Sequence, residues 1–327
     1  MSEMNHIPVV DLSKSKTHRM EEAMNVVNGL ENVGLLYVDN IKDFDFDKLM
    51  TCCRWVFNQS DDVKNNILKK LWNNSNKNVY RGYFPVIESQ ASRKEGFDFG
   101  KDIDWSTASV SPENWFYEES VWPKEDGKFP FKQFLQDLYG TMHETAMEIL
   151  RLAAVGLGIE EHSFTDMFSY QPCSTFRLLH YPPWIDGPPD NARTEDGRLM
   201  TTPDHTDSGF LTLLATFSFQ GLEYVTPNGN WMPVKPRPNS LVINIGDLFS
   251  HMVGGRFKAT RHRVIDIGID RFSVPFFLEP NYDREVGFNL IERSAGEDVS
   301  SCEKYGPWVN AQMARKGFYE FVSLPKF

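Results

Sequence analysis

From about residue 168 the chain breaks into short strand-like runs, and that segmentation constrains the fold more than any other feature. "STFRLLHYP", "GFLTLLATF", "GLEYVT", "WMPVKP", "SLVINIGD", "HRVIDIG" and "RFSVPFFLEP" follow one another, separated by Gly, Pro, Asn and Asp. Runs rich in β-branched and aromatic residues between turn formers read as strands. Seven of them in succession predict an antiparallel sandwich or barrel of the jelly-roll kind.

The flanks read differently. "IPVVDL" is a short opening strand, and "THRMEEAMNVVNGLENVG" carries apolar residues at helical spacing, with Gly34 as its stop before "LLYVDN". Helical patterns recur around 44–72 and, more strongly, in "FKQFLQDLYGTMHETAMEILRLAAVGL" at 131–157. Between them, "NVYRGYFPVIESQASRKEGFDFGKDID" has no clear periodicity. Residues 183–204 read as a long polar loop, and "YGPWVNAQMARKGFYEFV" as a closing helix. The expected fold class is α+β, organised as a mainly helical N-terminal region (1–165) with an opening strand, a β core (166–290) and a C-terminal helical segment (291–327).

Charge narrows the function classes. With 45 acidic and 34 basic side chains the net charge is −11, against the basic stripe of a nucleic-acid binder. No window approaches a membrane span, and the N-terminus lacks the pattern of a secretory signal. Cys52, Cys53, Cys173 and Cys302 fit neither a disulfide framework nor a CxxC zinc motif, and the adjacent pair reads as buried helix thiols. The expectation is a cytoplasmic protein with no nucleic-acid or membrane partner.

Of eight histidines, only His205 has an acid two residues later, Asp207, in "PDHTDSGFLTLL". Residues i and i+2 of an extended segment face one side, so the pair can supply two of the three ligands of a facial triad for non-haem Fe(II). The plainer reading is a polar turn before a buried strand. A third ligand can come from His251, at a bend after "GDLFS", or from His262, which opens a strand. Nine residues beyond His262 stands Arg271, and Ser273 shares its strand face. A guanidinium and a hydroxyl in an otherwise apolar strand suit a carboxylate.

These pieces resemble, in order and spacing, the Fe(II)- and 2-oxoglutarate-dependent dioxygenase superfamily, and more narrowly its isopenicillin N synthase-like branch. The branch's H-x-D…H…R-x-S pattern falls on His205, Asp207, His262, Arg271 and Ser273, with 54 residues between Asp207 and His262. "HIPVVDLS", "NVGLLYVDN", "GLEYVTPNGNWMPVKPRPNSLVINIGDLF" and "GRFKATRHRV" extend the likeness over nearly the whole chain. The resemblance implies a distorted double-stranded β-helix, Fe(II) on His205, Asp207 and His262, and 2-oxoglutarate held by Arg271 and Ser273 with Tyr181 nearby. The branch often has an asparagine where this chain has Leu179. It implies an oxidoreductase of secondary metabolism that uses O2 to oxidise an unactivated C–H bond, by hydroxylation, desaturation or ring closure, and releases succinate and CO2.

The substrate side is less determined by sequence. Arg177, Leu179 and Phe210 are expected pocket walls, and Tyr80, Arg81, Tyr83 and Phe97 lie where the branch often meets substrate. If Arg177 or Arg81 lines the pocket, the substrate is a small anionic or amino-acid-derived molecule. Two alternatives stand beside this reading. One is an Fe(II) oxidase of the same fold that does not use 2-oxoglutarate; the other is a noncatalytic β-barrel that binds a small ligand or iron.

Overall fold

The computed structural model describes residues 6–106, 111, 114–184, 187–287, 289–292 and 303–315. The chain opens with β1 (Val9–Asp11), α1 (Arg19–Asn32) and β2 (Leu35–Asp39). Gly34 makes the exit from α1 at φ +75°, where a Cβ would collide with Thr260 Oγ1, so the turn accepts only glycine. Next come α2 (Phe46–Phe57), α3 (Asp61–Ile67), β3 (Gly82–Phe84) and β4 (Glu95–Phe99). The Asp45 side chain caps α2 by accepting from the Lys48 amide. The long helix α4 (Phe131–Leu157) buries Leu135, Leu138, Met142, Ala146, Ile149, Leu150 and Ala153 along one stripe.

The β core follows as β5 (Thr175–Tyr181), β6 (Met200–His205), β7 (Leu211–Ala215), β8 (Leu222–Val225), β9 (Trp231–Pro233) and β10 (Ser240–Ile245). The short helix α5 (Asp247–Met252), β11 (His262–Ile265), β12 (Arg271–Leu278) and α6 (Tyr305–Arg315) complete it. An eight-stranded sheet runs β1-β2-β10-β7-β12-β5-β4-β3, and a four-stranded sheet runs β6-β11-β8-β9. All the pairings are antiparallel except β1 with β2.

The large sheet is buried on both faces. Its outer face carries Phe97, Phe99, Phe176, Leu178, Phe272, Val274 and Phe276, which form one apolar cluster with α1, α2 and α4. Its inner face carries Tyr37, Leu179, Tyr181 and Val242, packed against Leu222, Tyr224 and Val264 of the small sheet. Strand alternation thus sorts residues between a closed core and the space between the sheets.

Two expectations need correcting. Residues 200–204 are not loop: Met200–His205 is β6, paired with β11 so that His205 stands directly opposite His262. Its sequence, MTTPDH, has no apolar alternation because only its ladder identifies it as a strand. The aperiodic stretch before α4 supplies β3 and β4, which join the large sheet beside β5. Residues 1–165 therefore contribute four strands to the sheet as well as helices packed on it. Cys52 and Cys53 are buried thiols of α2, as expected, whereas Cys302 and residues 316–327 lie outside the described residues.

Candidate metal centre

His205 ends β6 and His262 begins β11, so the cross-strand pairing sets their rings side by side, with centroids 4.3 Å apart. Asp207 sits two residues past the strand end, in a loop anchored by the Asp247 amide, which donates to the Asp207 carbonyl at 2.8 Å. Its Oδ1 lies 3.7 Å from His205 Nε2 and 3.8 Å from His262 Nε2. One ligand atom from each residue falls within 4.8 Å of the others, the only such metal-competent group among the described residues. His251 lies apart from it, exposed on α5.

The remaining ring and carboxylate atoms are already engaged. His205 Nδ1 is 2.9 Å from the Pro203 carbonyl and His262 Nδ1 is 3.0 Å from the Thr260 carbonyl. A carbonyl can only accept, so each Nδ1 carries the proton and each Nε2 presents a lone pair to the centre. Asp207 Oδ2 accepts from Thr212 Oγ1 at 2.6 Å and Asn244 Nδ2 at 2.8 Å, leaving Oδ1 for a cation. Burial works to raise the Asp207 pKa, but the two imidazoles and these hydrogen bonds outweigh it and hold the carboxyl at about 2. Burial and the neighbouring His262 push His205 down, toward the neutral form that ligates. Two imidazoles, ligating in their neutral form, and one carboxylate would make a three-donor face that suits Fe(II).

Deeper between the sheets, Arg271 is 2% exposed, and its Nε and Nη1 have no partner. Its guanidinium lies over the Tyr181 ring at 4.6 Å, and Ser273 Oγ donates to Tyr181 Oη at 3.4 Å. Burial works against the charged guanidinium, so these donors call for an anion. A carboxylate reaching in past the triad would meet Arg271, Ser273 and Tyr181 together, so this socket fits 2-oxoglutarate.

Of the residues expected on the substrate side, Arg177 and Leu179 face this inner space. Arg177 pairs with Asp98 through Nε at 2.6 Å and Nη2 at 2.9 Å. The others need correcting. Phe97 and Phe210 are fully buried in the outer cluster, Phe97 against Phe131 and Phe210 stacked on Phe249. Tyr83 also points outward, its hydroxyl on Glu95. Tyr80 packs on Trp115 and Phe116. Arg81 is buried in a structural role, donating to the Phe99 and Phe116 carbonyls and to Thr175 Oγ1. Period-two alternation turns Tyr83 and Phe97 away from the cavity, and Gly96 and Asp98 take the inner positions.

Sequence reasoning missed Lys69, Lys94, Asp98, Thr212 and Asn244. Asp98 bridges Arg177 and Lys69 Nζ, the latter at 2.6 Å. The signal for it was the inward alternation of β4, which becomes readable only once that strand is known.

Two family models match the chain: the 2OG-Fe(II) oxygenase superfamily over residues 172–280, and the non-haem dioxygenase in morphine synthesis N-terminal model over residues 7–125. A 2-oxoglutarate-dependent dioxygenase of Monascus ruber is 33% identical over 242 residues, covering 69% of this chain and 71% of the relative. Isopenicillin N synthase of Streptomyces clavuligerus is 25% identical over 93% of each chain. Among solved structures, a full-length Neurospora crassa protein in complex with alpha-KG and 5-formyluracil superposes with a TM-score of 0.75 at 24% identity, over 96% of this chain and 98% of that one, a likeness of fold.

Proposed function

The chain belongs to the 2OG-Fe(II) oxygenase superfamily, and on that footing we propose that His205, Asp207 and His262 hold its iron while Arg271, Ser273 and Tyr181 hold 2-oxoglutarate. The protein is a non-haem Fe(II)- and 2-oxoglutarate-dependent dioxygenase with a jelly-roll core. The observation that carries the residue assignment is the buried guanidinium of Arg271 between the sheets, two of whose nitrogens have no partner.

When bound, iron and 2-oxoglutarate supply the oxidising power to attack an unactivated C–H bond with O2, releasing succinate and CO2. The protein's part is placement. Pro203 and Thr260 fix the histidine tautomers, and Thr212 with Asn244 aims one oxygen of Asp207. Arg271 and Ser273 take the far carboxylate, so the other end of the co-substrate is directed toward the triad. Arg177 and Leu179 border the space left for the prime substrate, and the cations there favour a small anionic or amino-acid-derived molecule. No described helix is long and apolar enough to cross a membrane.

The test is an anaerobic titration with Fe(II) and 2-oxoglutarate, followed by the weak visible charge-transfer band that chelation produces. Truncating one partner of a buried charge pair costs about 2–5 kcal/mol, so Arg271→Ala should need roughly 30-fold more 2-oxoglutarate or beyond. If iron binds without the band, Arg271 more properly belongs to a substrate carboxylate, and the oxidase alternative replaces this reading.

A further inference from the structure

Lys94 reaches the space beside the triad from the position just before β4. Its Nζ lies 3.2 Å from Thr202 Oγ1, on β6 three residues before His205, and this is its one polar contact among the described residues. An ammonium has three donors, so two remain to be used. Thr202 lies opposite Val264 on the same two strands that set His205 opposite His262, which places the Lys94 ammonium against the sheet that carries both histidines.

Among the described residues, no carboxylate there is free to pair with it. Asp98 is held by Lys69 and by two nitrogens of Arg177, and Asp207 has one oxygen on Thr212 and Asn244 and the other facing the triad. Asp98 is thus already engaged by two cations, and Lys94 has no ion pair of its own among the described residues. Lys94 is half-buried, and a partly desolvated ammonium without a counter-ion is costly; burial with the nearby Arg177 pushes it down to about 7. The wall next to Arg177 is aromatic, with its guanidinium 5.3 Å from the Phe84 ring and 5.5 Å from the Phe277 ring. Both rings are half-buried, while Phe276, their neighbour on the outer face, is closed off entirely.

We infer that Lys94 is the anchor for a carboxylate on a small aromatic substrate, and that it decides which end of that substrate meets the metal centre. The inference rests on the reading above and sharpens it, because Arg177, already paired with Asp98, is not the principal anion donor. A carboxylate on Lys94 would stand beside Thr202, with its ring directed toward the aromatic wall at Arg177.

The probes are benzoate and its neutral isostere benzamide, titrated calorimetrically into the full chain loaded anaerobically with Fe(II) and 2-oxoglutarate. The wild type should prefer benzoate. Lys94→Met should weaken benzoate about tenfold or more and leave benzamide within about twofold, since a charge-assisted hydrogen bond is what is removed. Lys94→Arg, which keeps the charge, should retain the preference. Should Lys94→Met not fold, Lys94→Gln makes the same comparison while still able to donate to Thr202. Equal binding of the two probes by the wild type, no benzoate binding by the wild type, or unchanged benzoate affinity in Lys94→Met with the charge-transfer band intact would each overturn the inference alone. A wild type without that band would overturn the cofactor reading beneath it.

Discussion

Asp207 can offer a cation only one oxygen, because Thr212 and Asn244 engage the other from two different strands of the large sheet. That arrangement makes these two residues positioning groups for a ligand they never replace. Partners of this kind typically affect metal affinity by about 10–100-fold. Asn244→Ala and Thr212→Val should each weaken Fe(II) binding within that range in anaerobic competition with a chromogenic chelator. Wild-type affinity in both variants would show that the Asp247 amide alone suffices to aim the loop. His205, Asp207, His262, Arg271 and Ser273 were legible from sequence because they fall in a recognisable order and spacing. Thr212 and Asn244 were not: each is one polar residue inside an apolar run, "FLTLLA" or "SLVINIG", and nothing in the run says which way it points. Lys94 was hidden the same way in "SRKEGFDFG", one cation beside another in a stretch without periodicity.

The junction between β10 and α5 shows how elements, rather than single side chains, hold the ligand loop. Gly246 joins the two, its amide donating to the Phe210 carbonyl at 3.1 Å while the next amide, Asp247, donates to Asp207. A Cβ on Gly246 would lie 2.1 Å from the Gly209 carbonyl oxygen and 2.7 Å from its carbon. Both are backbone atoms, so the loop carrying Asp207 must move. Overpacking of this kind costs about 1–3 kcal/mol, so Gly246→Ala should lower the Tm by a few degrees and weaken Fe(II) binding together. Gly140→Ala, where nothing lies within 4 Å of the new Cβ and the position is mid-helix, is the control expected to hold or raise the Tm. Normal iron binding in Gly246→Ala would mean that the loop is not set by this junction. At this scale the strands with β-branched or aromatic runs and the amphipathic α4 could be read from the sequence. Polar β6 could not, since its strand character comes from pairing with β11. Nor could β3 and β4, where burial on both faces erases the alternation that marks a half-exposed strand.

Across the whole molecule, the helical N-terminal half and the β core are built into one sheet. β2 pairs with β10 and β4 pairs with β5, so a core cut at residues 166–290 would lose both flanks of its large sheet. β10 and β5 would become long apolar edges open to other chains. The outer face would lose α1, α2 and α4, exposing Phe176, Leu178, Val274 and Phe276, which are now fully buried. The inner face would lose Asp98 and leave Arg177 without that carboxylate. Each loss removes a contact that only the preceding residues supply, so they act together rather than as graded penalties. The fragment 166–290 should therefore aggregate or show no cooperative thermal transition, and give no charge-transfer band with Fe(II) and 2-oxoglutarate, although it carries all three metal ligands and Arg271. Calorimetry and anaerobic absorption on the fragment beside the full chain decide the matter. A sharp transition with the band present would show that the core folds and assembles its metal centre alone, and that β1–β4 are additions to a sheet already complete without them.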